Sequence, residues 1–201
     1  PQPAPIKGTF SIDPCVFKDS DGQHYMYFGG IWGGQLQRWV TGSYVGKDAY
    51  PAKDQPAISA VVARLGGDML TLAEPPRDVV LLDETGKPLL AADNGRRFFE
   101  GSWLHKYNGT YYFSYSTGDT HFIMYATGKS PYGPFTVRGK ILEPVLGWTN
   151  HHSIVEFQGK WYLFYHDAQL SKGQTHLRNI KVTELKYRPD GSIETVDAYR
   201  E

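Results

Sequence analysis

The chain has 201 residues, 40% hydrophobic and 14% aromatic, enough material for one sizeable core. Lys plus Arg and Asp plus Glu each number 21, so the formal charge is zero, which argues against a surface for nucleic acid and against a patch for anionic membranes. No apolar run approaches the roughly 20 residues of a membrane span, and the single cysteine, Cys15, excludes an internal disulfide.

Residues 1–10, opening PQPAPIKG, read as a Pro-rich, extended lead-in with no signal-peptide pattern, and residues 11–201 as the folded unit. No compartment is indicated. Residues 9–30 form a hairpin closed by Asp19-Ser20-Asp21-Gly22, with Cys15 as a small core residue in its first strand. That acidic turn lacks the further ligands and closing Glu of a calcium loop, so it reads as a plain turn. A strand begins over residues 31–39, where Trp32 either walls a sugar pocket or packs. Residues 41–57 are loop. Residues 58–65 and 69–73 form a strand pair turned at Gly66-Gly67-Asp68, residues 79–83 a short strand, and residues 89–96 a connection with room for a helical turn. Next comes a hairpin over 98–116, with strands at 121–127 and 135–142 completing its blade around the turn SPYGPF. A last hairpin spans 153–167, followed by a strand over 176–186 and a turn at Pro189-Asp190-Gly191. No long stretch has 3.6-residue apolar periodicity, so the class is all-β.

The organising stretch is FFEGSWLHKYNGTYYFSYS, residues 98–116. Asn-Gly supplies the positive φ angles of a tight hairpin, and aromatic residues suit a half-buried pleated surface. Glu100 therefore stands at the head of a rigid hairpin. The same template recurs at DPCVFKDSDGQHYMYFG and NHHSIVEFQGKWYLFYH, with nine residues from Asp13, Glu100 and Asn150 to the following Gly in each copy. Tyr25, Tyr112 and Tyr162 each fall three residues after that Gly. Three copies of one hairpin indicate a radial repeat, a β-propeller, whose equivalent strand ends converge on an axis. Chemistry is expected at that convergence.

Four segments, IDPCVFKDSDGQHYMYFGG, FFEGSWLHKYNGTYYFSYSTG, SPYGPF and HHSIVEFQGKWYLFYHD, together resemble glycoside hydrolase family 43, the five-bladed propeller enzymes that cleave xylose- or arabinose-containing glycosides. The resemblance spans about residues 11–196 and is greatest to bacterial β-xylosidases with α-L-arabinofuranosidase activity. It implies that Glu100 is the general acid and Asp13 the carboxylate that raises its pKa. It also implies that Arg178, in HLRNIKV, contacts substrate hydroxyls, and that His151 or His152 reaches the axis, where many members hold calcium or a water cluster. Phe98, Trp103 and His121, close in sequence to the acid or to its strand, are expected to line the xylo- or arabino-oligosaccharide pocket. Members invert configuration with an opposed acid and base, and the base, an aspartate of the first blade, has no match here. About three of five blades are present, so the resemblance implies a C-terminal part that works with a complementary N-terminal fragment or self-associates. The alternative is an inactive sugar-binding or structural propeller fragment.

Overall fold

The computed structural model describes residues 12–31, 41, 43–118 and 121–200. Among these the secondary structure is entirely β, in three sheets that form successive blades of a propeller. Blade 1 contains β1 (Cys15–Lys18), β2 (His24–Phe28), β3 (Val61–Arg64) and β4 (Arg77–Asp78), paired in that order. Blade 2 has the order β5-β9-β8-β7-β6, from β5 (Leu81–Leu82), β6 (Phe98–Tyr107), β7 (Thr110–Thr117), β8 (Ile123–Gly128) and β9 (Phe135–Leu142). Blade 3 is β10 (His152–Phe157), β11 (Lys160–Asp167) and β12 (Asn179–Leu185). No helix among the described residues is long and apolar enough to cross a membrane.

The three expected hairpins are β1–β2, β6–β7 and β10–β11. The last two turn through Asn108-Gly109 and Gln158-Gly159, with φ of 47° and 77° and of 52° and 77°, the double positive φ that keeps a two-residue turn in step with strand twist. The strand pair expected around residue 69 does not form as such. Asp68 Oδ1 accepts hydrogen bonds from the backbone N–H of Leu70 and of Thr71, which ties that stretch into a turn and leaves only a bridge between Leu65 and Leu72. Of the strand expected at 79–83 only Leu81–Leu82 forms, and the strand just ahead of it belongs to another blade. Asp78 pairs with Val61 in blade 1, and Leu81 runs parallel to Phe135 at the outer edge of blade 2.

Strand alternation sorts the core into two layers. On β7, Tyr111, Phe113 and Tyr115 pack toward blade 1, where they join Tyr25, Tyr27, Val62, Phe98 and Phe135. The opposite face carries Tyr112, Ser114 and Ser116 toward blade 3, where Tyr112 joins Ile123, Tyr125, Ile154, Leu163 and Leu185. The outward face of blade 3 remains apolar and uncovered: Phe157 is 61% and Ile180 83% exposed, beside exposed Val155, Phe164 and Val182.

Candidate active site

Three hairpin entrances meet at one point. Asp13 sits just ahead of β1 with φ of 50°, a left-handed conformation that Asp tolerates better than most side chains. Blade 1 is stitched to blade 2 beside it, because Ile31 N–H donates to Phe99 O at 2.9 Å. A Cβ on Gly30 would lie 2.6 Å from Ile12 Cδ1, so the glycine leaves room for that side chain, and at an ordinary 3.7 Å from Glu100 Cβ.

Glu100 projects from β6 at a bulge. It pairs with Ser116, but Trp103 already pairs with Ser114, so Gly101 and Ser102 stand opposite Tyr115 alone. Gly101 takes φ of 69°, and a Cβ on it would lie 3.5 Å from the His151 ring. The imidazole thus packs on bare backbone. His151 Nε2 lies 3.1 Å from Glu100 Oε1 and 3.7 Å from Asp13 Oδ2. One donor atom from each of the three residues falls within 4.8 Å of the others.

Electrostatics follow from that packing. Burial pushes the pKa of Asp13 up, and the neighbouring Glu100 charge adds to this, while His151 and Arg178 oppose it. Burial alone would lower His151, but its hydrogen bond to Glu100 and the charge of Asp13 outweigh that and raise it. Both shifts favour keeping a proton within the cluster, where the Glu100–His151 hydrogen bond joins a carboxylate to an imidazole. Glu100 is 5% exposed, so little water screens that bond.

Arg178 stands at the rim. Its Nε donates to Thr175 O at 3.1 Å and its Nη2 to Thr149 Oγ1 at 3.4 Å, and its charge is felt by Asp13 and His151. His121 also reaches the rim, its ring 6.0 Å from that of Phe99, the neighbour of Glu100. Sequence reasoning leaves the role of His166 open; its Nε2 accepts the His151 backbone N–H at 3.1 Å, and its pKa is pushed down to about 4 by burial, Arg178 and His151. Its place at the end of an aromatic strand, one repeat element after His151, was the available signal.

Other expected site residues lie elsewhere. His152 faces the opposite side of β10, with Nε2 2.6 Å from Ser114 Oγ, and burial pushes its pKa down to about 3, so it takes no part in the axial cluster. Phe98 is wholly buried beside Phe113 and Tyr115, with no surface left for a sugar. Trp103 fills the seam between blades 2 and 3, where its Nε1–H donates to Ile154 O at 3.1 Å. Trp32 lies outside the described residues. Asn150, the third leading residue by the nine-residue spacing, is buried with neither side-chain amide atom hydrogen-bonded among the described residues, and the next residue, His151, reaches the carboxylates instead.

The model of the family named "Glycosyl hydrolases family 43" matches residues 2–193. The chain belongs to this family. Among family 43 relatives, a xylosidase/arabinosidase of Bacteroides ovatus is 59% identical over 98% of this chain and 61% of its own length. A β-xylosidase of Xylanibacter ruminicola is 58% identical, again over 98% of this chain and 61% of its own length. A family 43 β-xylosidase/α-arabinofuranosidase from a compost microbial metagenome, crystallised with xylotriose in a calcium-free form, superposes with a TM-score of 0.93 at 64% identity. That match covers 100% of this chain and 62% of the crystallised one. The chain thus spans about three-fifths of the length of these family 43 relatives.

Proposed function

We propose that this chain forms the acid side of an inverting exo-glycosidase that removes xylose or arabinose from xylo- or arabino-oligosaccharides. The observation that carries the reading is Glu100, almost buried, sharing a hydrogen bond with His151 while Asp13 stands within the same 4.8 Å cluster. Glu100 donates its proton to the glycosidic oxygen as the bond to the anomeric carbon breaks and its electrons pass to that oxygen. Asp13 modulates this proton through its charge, and Arg178 and His121 bind sugar at the rim. Water attacks the anomeric carbon from the opposite face and gives its proton to a base carboxylate about 6.5–9.5 Å from the acid. That base comes from blades outside this sequence.

The same blades cover the apolar outer face of blade 3. Val155, Phe157, Phe164, Ile180 and Val182 form a patch of the kind buried between packed sheets, and the relatives are longer than this chain by the material that two further blades need. The cluster would offer a calcium ion Asp13, Glu100 and His151, fewer than the six to eight mainly oxygen ligands it takes, so water would have to complete its shell. When bound it would supply fixed positive charge beside the acid.

Hydrolysis of aryl xylosides and aryl arabinofuranosides tests the reading, with the chain alone and with its complementing blades. The complemented protein is expected to turn over, and Glu100→Gln to lose most of that activity, more so with poor leaving groups that need protonation. Equal rates for the two forms would remove Glu100 from the acid role.

A further inference from the structure

The hairpin turns lie at one end of the blades and the cluster at the other, so the connections that leave β7, β9 and β11 all lie at the cluster's end. The link between β7 and β8 carries His121, that between β9 and β10 carries Trp148, and that between β11 and β12 carries Arg178. Trp148 is built into this rim rather than left loose on it. Its backbone N–H donates to Thr175 Oγ1 at 3.1 Å, and Thr149, beside it at φ of 61°, accepts from Arg178. Its ring meets Phe99 edge-on at 6.0 Å and 86°, and His121 at 5.4 Å and 71°. Phe99 immediately precedes Glu100. Even so, Trp148 is 48% exposed.

An indole braced by two rings and still half exposed is a pre-organised apolar plate, and such a plate suits the C–H face of a pyranose ring. We propose that Trp148 is a stacking platform for the sugar on the leaving-group side of the scissile bond. The side follows from depth: the terminal sugar of an exo-acting site sits over the buried Glu100 cluster, so a half-exposed ring at the rim meets the unit beyond the scissile bond. This assignment rests on the reading of Glu100 as the acid.

The test compares affinities for xylose and xylotriose by titration calorimetry, in the chain with its complementing blades and carrying Glu100→Gln to prevent turnover. Adding Trp148→Ala is expected to weaken xylotriose about tenfold, the scale of losing a buried aromatic anchor, while xylose, which needs no leaving-group site, keeps its affinity. Trp148→Phe restores most of the loss, which separates lost stacking from a collapsed loop. Equal loss for both sugars, or none for xylotriose, would overturn the proposal. Xylotriose hydrolysis by the Glu100→Gln protein at the unsubstituted rate would overturn the acid assignment, an outcome read separately from the two affinities.

Discussion

Lowering the pH from 7 to 5 should strip a large share of the stability of this protein, and two histidines set the amount. His105 and His152 lie in the seam between blades 2 and 3, where burial pushes both pKa values down to about 3. His105 stacks on Tyr112 and pairs through Nε2 with Tyr187 OH at 2.6 Å, and neither its Nδ1 nor that of His152 has a partner among the described residues. In the unfolded chain each binds a proton with a pKa of about 6.5. Below that pH the unfolded state takes up protons that the folded state refuses until about pH 3, so this stability is full above about pH 6.5 and declines with acid. Over the 1.5 units to pH 5, at about 1.4 kcal/mol per unit for each residue, the pair removes about 4 kcal/mol, against a total of about 5–15 kcal/mol for a typical domain. His166, held at about 4, adds a loss of the same sign, reduced by its partial exposure to water. His151, raised rather than lowered, acts oppositely: its contribution is present below about pH 6.5 and fades as pH rises through its folded value. Urea unfolding followed by tryptophan emission at pH 7, 6 and 5 measures the slope. His105→Gln should remove about half of it, whatever it does to absolute stability. A free energy of unfolding that stays flat across this range, or an unchanged slope in His105→Gln, would refute the argument.

Gly101→Ala should cost about 1 kcal/mol or more in thermal unfolding, because the backbone there has φ of 69° while the new Cβ meets the His151 ring only at ordinary contact distance; a neutral result would mean the bulge relaxes freely. Phe98→Ala should lower stability by about 3–5 kcal/mol through the cavity it leaves, yet keep the sugar affinity of the folded protein. Weaker sugar binding with full stability would return Phe98 to the pocket. Asp13→Asn should lower the pKa of His151, since it removes one of the charges that raise it, and a ring-proton titration by NMR would read the change; an unchanged or higher value would separate Asp13 from the cluster.

Much of the architecture was readable from local chemistry. Asn108-Gly109 and the aromatic strands around it announce a hairpin without help from the rest of the fold, and β9 falls where alternation and flanking turns place it. The pairing of β5 with β9 was not readable, because two residues carry too little pattern to choose between blades. At the site, Asp13 and Glu100 follow from the repeat, but the equal spacing of nine residues conceals unlike causes. The first hairpin has a five-residue loop between Lys18 and His24, the second carries the bulge at Gly101 and Ser102, and the third has neither, so its acting residue is His151 and not Asn150. A bulge moves every preceding side chain by one position relative to the partner strand, and no local composition records it. Phe98 and His152 went wrong for a related reason, since closeness in sequence to a site says nothing of which face a strand residue occupies. The roles of Trp148 and His166 went unseen because they come from contacts across blades.

The short parallel strand at the rim of blade 2 makes the blades inseparable as pieces of chain. Leu81 and Leu82 belong to the thread leaving blade 1, yet they complete the sheet that begins only at Phe98. A cut in the exposed turn at Glu84-Thr85-Gly86 would leave the edge strand bound to blade 2 while its covalent continuation stayed with blade 1. Excising residues 98–142 as a module would instead expose the raw margin of β9, inviting a neighbouring molecule to supply the lost strand. The natural joint for grafting or shuffling parts of this protein therefore lies ahead of Leu81, inside what the eye takes for the first blade.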